Sequence, residues 1–296
     1  MSARVLEGIT PEEYLADPCA SPSLSQSVAH TLVTCSPRHA WLDHPRLGGR
    51  ERRSTAAMDE GSILHRLILG RGADFEVLSG FDNFRTKAAQ ELRDAARAAG
   101  KIPLLVPEFE RLTRIATRVQ SRCRDFGFEF SGRSEVPVEF TEQVEGTGAE
   151  ILCRCMFDHM IEQRDDNGEV ISGLILDLKK VASANPADLA ARAFDAGFDI
   201  QEHAYVRAFE QLHPAAVGRV DFVFLTFEAE EPLEVVPVRL DGALQEIGRR
   251  RWSRAVALWH QLLTEGSFPW PGYVRDAITL SAPAWALARE LGEDYL

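Results

Sequence analysis

Cysteine is scarce in this chain of 296 residues, and the five present follow no spacing pattern. Cys19, Cys35, Cys123, Cys153 and Cys155 include no C-x-x-C pair, which argues against a zinc ribbon. Their odd number argues against a disulfide framework and suits a reducing cytoplasm. No apolar run approaches the roughly 18 residues that a membrane helix needs. The opening Met1-Ser2-Ala3-Arg4 leads into no apolar stretch, so no secretory signal is expected. Positive charge is also short: 33 Lys and Arg face 45 Asp and Glu, a net charge of -12. The overall balance therefore opposes a polyanionic partner, and only a local basic surface could hold one. Internal repeats and low-complexity tracts are absent.

What is present is a sizeable apolar fraction, 45% of residues, enough for one large folded domain. Residues 1 to 60 read as irregular, with short helices from Leu24 to Leu32 and from Ser36-Pro37 through Trp41 and Leu42. Pro45 to Thr55 reads as a mobile basic loop. Helices are then expected over 59 to 69, 86 to 99 and 107 to 123, the first with Ile63, Leu64, Leu67 and Ile68 on one side. The period changes at Val136, Val138 and Phe140, which alternate as in a strand. Ile151 to Gln163 and Val170 to Val181 flank Asp165-Asp166-Asn167-Gly168, a hairpin turn. Helices over 186 to 196 and 199 to 212, strands over 220 to 227 and 233 to 238, and a helix over 242 to 263 follow. The order reads as an α/β fold, a central mixed sheet flanked by helices with a helical N-terminal region.

The hairpin carries the chemistry. If Asn167-Gly168 are its two loop residues, Asp166 pairs with Glu169, and counting back places Asp158 opposite Asp177. Opposed residues share one face, and Lys179, two residues on, shares it too. A bulge near Ser172-Gly173 would shift this register. Both aspartates sit in apolar runs, where an unpaired carboxylate is costly. Two carboxylates and one lysine leave a net negative site that a divalent cation would neutralise. Magnesium prefers oxygen ligands, and the Leu178 backbone carbonyl would supply a further one. The competing reading is a buried Asp-Lys ion pair in an ordinary sheet.

Asp158 followed by Asp177-Leu178-Lys179 resembles the D...(D/E)-x-K core of the PD-(D/E)XK nuclease superfamily. Met58-Asp59-Glu60-Gly61-Ser62-Ile63-Leu64-His65 resembles the N-terminal helix motif of its RecB-like members. Gln201 and Tyr205 resemble the Q-x-x-x-Y helix that follows the lysine. Ser23-Leu24-Ser25-Gln26-Ser27 and Cys35-Ser36-Pro37 resemble the opening segment of RecE-like nucleases. The resemblance runs from about Ser21 to the Pro283-Ala284-Trp285 tail, which implies one nuclease domain over 21 to 296 after an extension over 1 to 20.

It further implies a restriction-endonuclease-like core and His65, Asp158, Asp177 and the Leu178 carbonyl as ligands to magnesium, with manganese able to substitute. Lys179, Asp177 and Asp158 would be catalytic, with Glu135, Gln201 and Tyr205 as accessories. No iron–sulfur cluster is expected, since no cysteine follows Cys155. The implied activity is a 5′ to 3′ exonuclease on double-stranded DNA ends in phage-type recombination or repair. The implied partners are a single-strand annealing protein and further copies of the chain, in a bacterial or phage-encoded cytoplasmic setting with no membrane. A structure- or sequence-specific endonuclease and a non-catalytic DNA-binding scaffold are the alternatives. For the DNA contact, Arg46, Arg50, Arg52 and Arg53 in the loop before His65 are preferred over Arg111, Arg114, Arg118 and Arg122 or Arg249, Arg250, Arg251 and Arg254. Each cluster could equally be a solvated, salt-bridged face.

Overall fold

A computed structural model of the chain describes residues 3–50, 55–273 and 276–291. Its elements in chain order are β1 (Arg4–Val5), α1 (Pro11–Leu15), β2 (Leu24–Ser25), α2 (Gln26–Thr34), α3 (Pro37–Asp43) and α4 (Ala56–Leu69). They continue with β3 (Phe75–Leu78), α5 (Lys87–Ala98), β4 (Ile102–Leu105), α6 (Val106–Asp125), β5 (Arg133–Gln143), β6 (Glu150–Arg164) and β7 (Val170–Val181). The chain closes with α7 (Pro186–Asp195), α8 (Phe198–Leu212), a short 3-10 turn, β8 (Val220–Glu228), β9 (Val235–Val238), α9 (Gly242–Glu265) and α10 (Ala284–Leu291).

The main sheet is mixed and runs β1-β5-β6-β7-β8-β9, with β2 added beside β6. Period-two alternation in its central strands buries both faces. Along β8, Phe222 and Phe224 enter one core while Val223, Leu225 and Phe227 enter the other. The first core is closed by α2, α8 and α9 through Val28, Phe209, Trp252 and Trp259. The second is closed by α4 and α6 through Ile63, Leu64, Leu112 and Ile115. Burying each such side chain contributes about 1.5–3 kcal/mol before entropy is counted. The result is an α/β fold with a mixed central sheet between two helical layers. Among the described residues no helix is long and apolar enough to cross a membrane.

The described residues up to 20 are tied into the domain. β1 pairs with β5. Asp17, whose side chain is fully buried, accepts from the Ser23 amide (2.9 Å) and hydroxyl (2.7 Å), and Arg154 lies 3.2 Å away. Burial opposes its ionisation, yet His44, Arg154 and Ser23 outweigh that and lower its pKa to about 2. The small parallel pair β3–β4, and helices α1 and α10, are elements that the sequence pattern did not single out.

The hairpin differs in detail from the expectation. The Asp165 amide donates to the Glu169 carbonyl (2.9 Å) and the Gly168 amide to that of Asp165 (3.0 Å), so the loop holds three residues, not two. Gly168 takes the left-handed conformation that closes it (φ 84°). A bulge then intervenes: Gln163 faces Ser172 but Arg164 faces Val170, leaving Ile171 extra. The two deviations cancel. Beyond the bulge, His159 pairs with Leu176, the register that the simple count requires.

Candidate metal centre

β6 and β7 part company just past that pair. His159↔Leu176 is the last ladder pair between them, and nearer its start β6 pairs instead with β2 at Cys153 and Arg154. The fork frees the Leu178 amide, which donates to Asp158 Oδ2 at 2.8 Å. At the fork Asp158 meets His65 of α4, and Asp177 meets Gln201 of α8.

His65 is delivered by α4. Thr55 caps that helix by accepting from the Met58 amide (3.3 Å), and Gly70 ends it in the left-handed conformation (φ 72°). Ile63, Leu64 and Ile68 bury one face, which fixes the helix rotation and turns His65 toward the fork. Its Nδ1 lies 3.3 Å from Glu135 Oε1 and its Nε2 lies 3.7 Å from Asp158 Oδ2. Glu135 reaches it from β5 through a left-handed backbone, φ 51°, unusual for a residue with a side chain. Ligand atoms of His65, Glu135 and Asp158 all lie within 4.8 Å of one another, so these three could hold a metal ion. Glu135, expected only as an accessory acid, stands in this cluster.

Asp177 stands apart from it and is 1% exposed. Gln201 Nε2 donates to its Oδ2 at 2.5 Å, and Lys179 Nζ lies 2.5 Å from its Oδ1. Each carboxylate oxygen of Asp177 thus has its own partner, Gln201 on Oδ2 and the charged Lys179 on Oδ1. Leu178, whose carbonyl was expected as a ligand, touches the cluster through its amide. Tyr205 is core, its ring edge-on to Phe157 at 5.6 Å.

Burial and charge crowding shift His65, Asp158, Asp177 and Lys179. Burial would lower the His65 pKa, but Asp158, Glu135 and Asp177 outweigh it and raise it to about 9. Burial and the neighbouring Asp158 raise Asp177 to about 6 against the pull of Lys179. Asp158 is likewise raised, by burial first. Burial opposes the Lys179 charge, yet Asp177 and Asp158 overcome it and raise that pKa. The excess of carboxylate and the grouping of His65, Glu135 and Asp158 fit a site for a cation.

The basic clusters are largely engaged elsewhere. Arg46 donates to the Cys19 carbonyl (2.6 Å), and Arg50 pairs with Asp43. Arg52 and Arg53 lie outside the described residues. Arg111 pairs with Glu60, Arg122 with Asp125 (3.0 Å), Arg249 and Arg250 with Glu246 (both 2.7 Å), and Arg251 with Asp199 (2.8 Å). Glu60 also holds Lys180 (3.0 Å), tying α4 to β7 beside Lys179. Sequence reasoning missed that tie, although a second lysine directly after the D-x-K was a visible signal.

No family model matches the sequence, and no curated protein matches it. Among solved structures, a crystal structure from Eubacterium rectale named "Putative exonuclease" is similar over 96% of this chain and 98% of that one, with a TM-score of 0.61 and 14% identity. At that identity the likeness is one of fold, and the two chains share it along nearly their whole length.

Proposed function

We propose that this chain is a metal-dependent nuclease of the PD-(D/E)XK type, acting as a 5′ to 3′ exodeoxyribonuclease on double-stranded DNA ends. The observation that carries the reading is the cluster of His65, Glu135 and Asp158 beside the Asp177–Lys179–Gln201 set. The exonuclease name of a structure with the same fold supports it.

His65, Glu135 and Asp158 would hold magnesium, with Asp177 contributing from the adjoining strand. An imidazole in the set also suits manganese. The bound ion supplies a polarised phosphate and a more acidic attacking water. Lys179 stays charged between Asp177 and Asp158, so it can orient that water and offset the negative charge that builds on phosphorus. Gln201 positions Asp177 for this pairing. Products would be 5′-phosphorylated nucleotides and a 3′ overhang, the substrate of a single-strand annealing protein in recombination. Further copies of the chain would enclose the duplex, and the setting would be cytoplasmic.

The test is end-labelled linear duplex and closed circular duplex incubated with magnesium, then with chelator. The reading requires loss of label from the linear form only, abolished by chelator. Cleavage of the circle assigns an endonuclease instead. Inertness of both under any divalent metal assigns a scaffold.

A further inference from the structure

A cavity of about 340 Å³ is lined by Lys179 and Gln201 together with residues of α7. Its wall is apolar where α7 and α8 meet, with Leu189, Ala193 and Phe198 each buried. Lys179, Lys180 and Arg192 are its charged lining, and no carboxylate lines it. A lining with cations and no carboxylate suits an anion, even in a chain with a net charge of -12. Two of the three are already occupied, Lys179 by Asp177 and Lys180 by Glu60. Arg192 is exposed and pairs with no acid among the described residues. The cavity therefore presents one free guanidinium beside an apolar recess, at the lower end of the size range of small-molecule pockets.

We infer that this cavity is a nucleotide subsite, taking the sugar and base against Leu189, Ala193 and Phe198 and a phosphate on Arg192. A guanidinium binds phosphate through paired N–H donors, and a recess of this size admits one nucleotide of a single strand, not a duplex. The identification of the anion as a nucleotide rests on the nuclease reading. The cavity shares Lys179 and Gln201 with the candidate centre, so a nucleotide there abuts the reacting phosphate.

The experiment is calorimetric titration of the full chain, in chelator, with deoxyadenosine 5′-monophosphate, deoxyadenosine and inorganic phosphate. The monophosphate is expected to bind at least about tenfold more tightly than either fragment. Arg192→Ala should weaken the monophosphate about tenfold or more, as loss of a charged hydrogen bond implies, and leave the nucleoside unchanged. Ala193→Leu, which fills the recess, should weaken monophosphate and nucleoside together, with circular dichroism confirming the fold. Equal affinity for the monophosphate and inorganic phosphate, or no change in either variant, overturns the subsite. Because no metal or turnover is needed, the two readings fail separately. Binding as described without DNA degradation sinks only the nuclease reading, and degradation without binding sinks only the subsite.

Discussion

The Leu178 amide donates to Asp158 Oδ2 at 2.8 Å, so one carboxylate both stops the β6–β7 ladder and faces the metal cluster. The two roles can be separated. Asp158→Asn keeps an oxygen for the amide but removes the charge, so the fold should persist and metal affinity should fall. Asp158→Ala also leaves a half-buried amide without its acceptor, a cost of about 1–3 kcal/mol. Urea denaturation of both variants, beside metal titration, checks this. Equal stability losses in the two would contradict it.

Metal affinity should fall steadily from pH 9 to pH 7. The metal-free His65 has a pKa raised to about 9, so below that pH a cation must displace its proton. One proton per ion gives up to about a tenfold loss in affinity for each pH unit below 9. The linked stability runs the other way. The raised pKa stabilises the metal-free fold fully below pH 6.5, and this is lost as pH rises through 9. Manganese titration at three pH values reads the first effect, and a flat profile would count against it.

Two buried groups outside the metal cluster should move stability in opposite directions. Burial lowers the His159 pKa to about 4, while Ser134 Oγ holds its Nδ1 at 2.8 Å. Its contribution is present above pH 6.5 and lost as pH falls toward 4. Burial raises Glu202 to about 7, so its contribution is full below pH 4.5 and lost as pH rises through 7. Glu202→Gln should therefore stabilise the protein at pH 8 and do little at pH 4, since Gln245 can still donate to Oε1. Denaturation midpoints of the variant and the native chain at the two pH values measure this.

Gly248→Ala should loosen the helix that carries Gln201. A Cβ at Gly248 of α9 would stand 2.1 Å from the Asp199 backbone oxygen of α8, where only backbone could yield. Overpacking of this kind costs about 1–3 kcal/mol. A drop in Tm accompanied by weaker coupling of Asp177 to Gln201, seen as reduced activity at unchanged metal affinity, is the expected outcome.

These effects mark what the sequence made legible. Asp177 and Lys179 stood out because charges at i and i+2 interrupt an apolar strand, and Gln201 because a resemblance placed it on the next helix. Glu135 did not, because its role depends on a left-handed backbone that no residue type announces when the residue is not glycine. The end of the β6–β7 ladder at His159 and Leu176 was hidden for a related reason, since a count along two strands assumes that pairing continues. The bulge raised near Ser172-Gly173 falls at Ile171, and the unforeseen three-residue loop offsets its one-residue shift, so the simple count still gives the register. β3 and β4 are four residues each, too short for alternation to show, and β4 carries Pro103. Arg46 and Arg50 looked free because their partners, at Cys19, Asp17 and Asp43, come from other segments of the chain.

The most direct measurement is the magnesium-dependent degradation rate of linear duplex by the native chain, Asp177→Ala and Lys179→Met. The account predicts digestion by the native chain and a loss of at least about a hundredfold in each variant, the scale of a lost acid–base or charge-stabilising group. Either variant digesting linear DNA as fast as the native chain would contradict it.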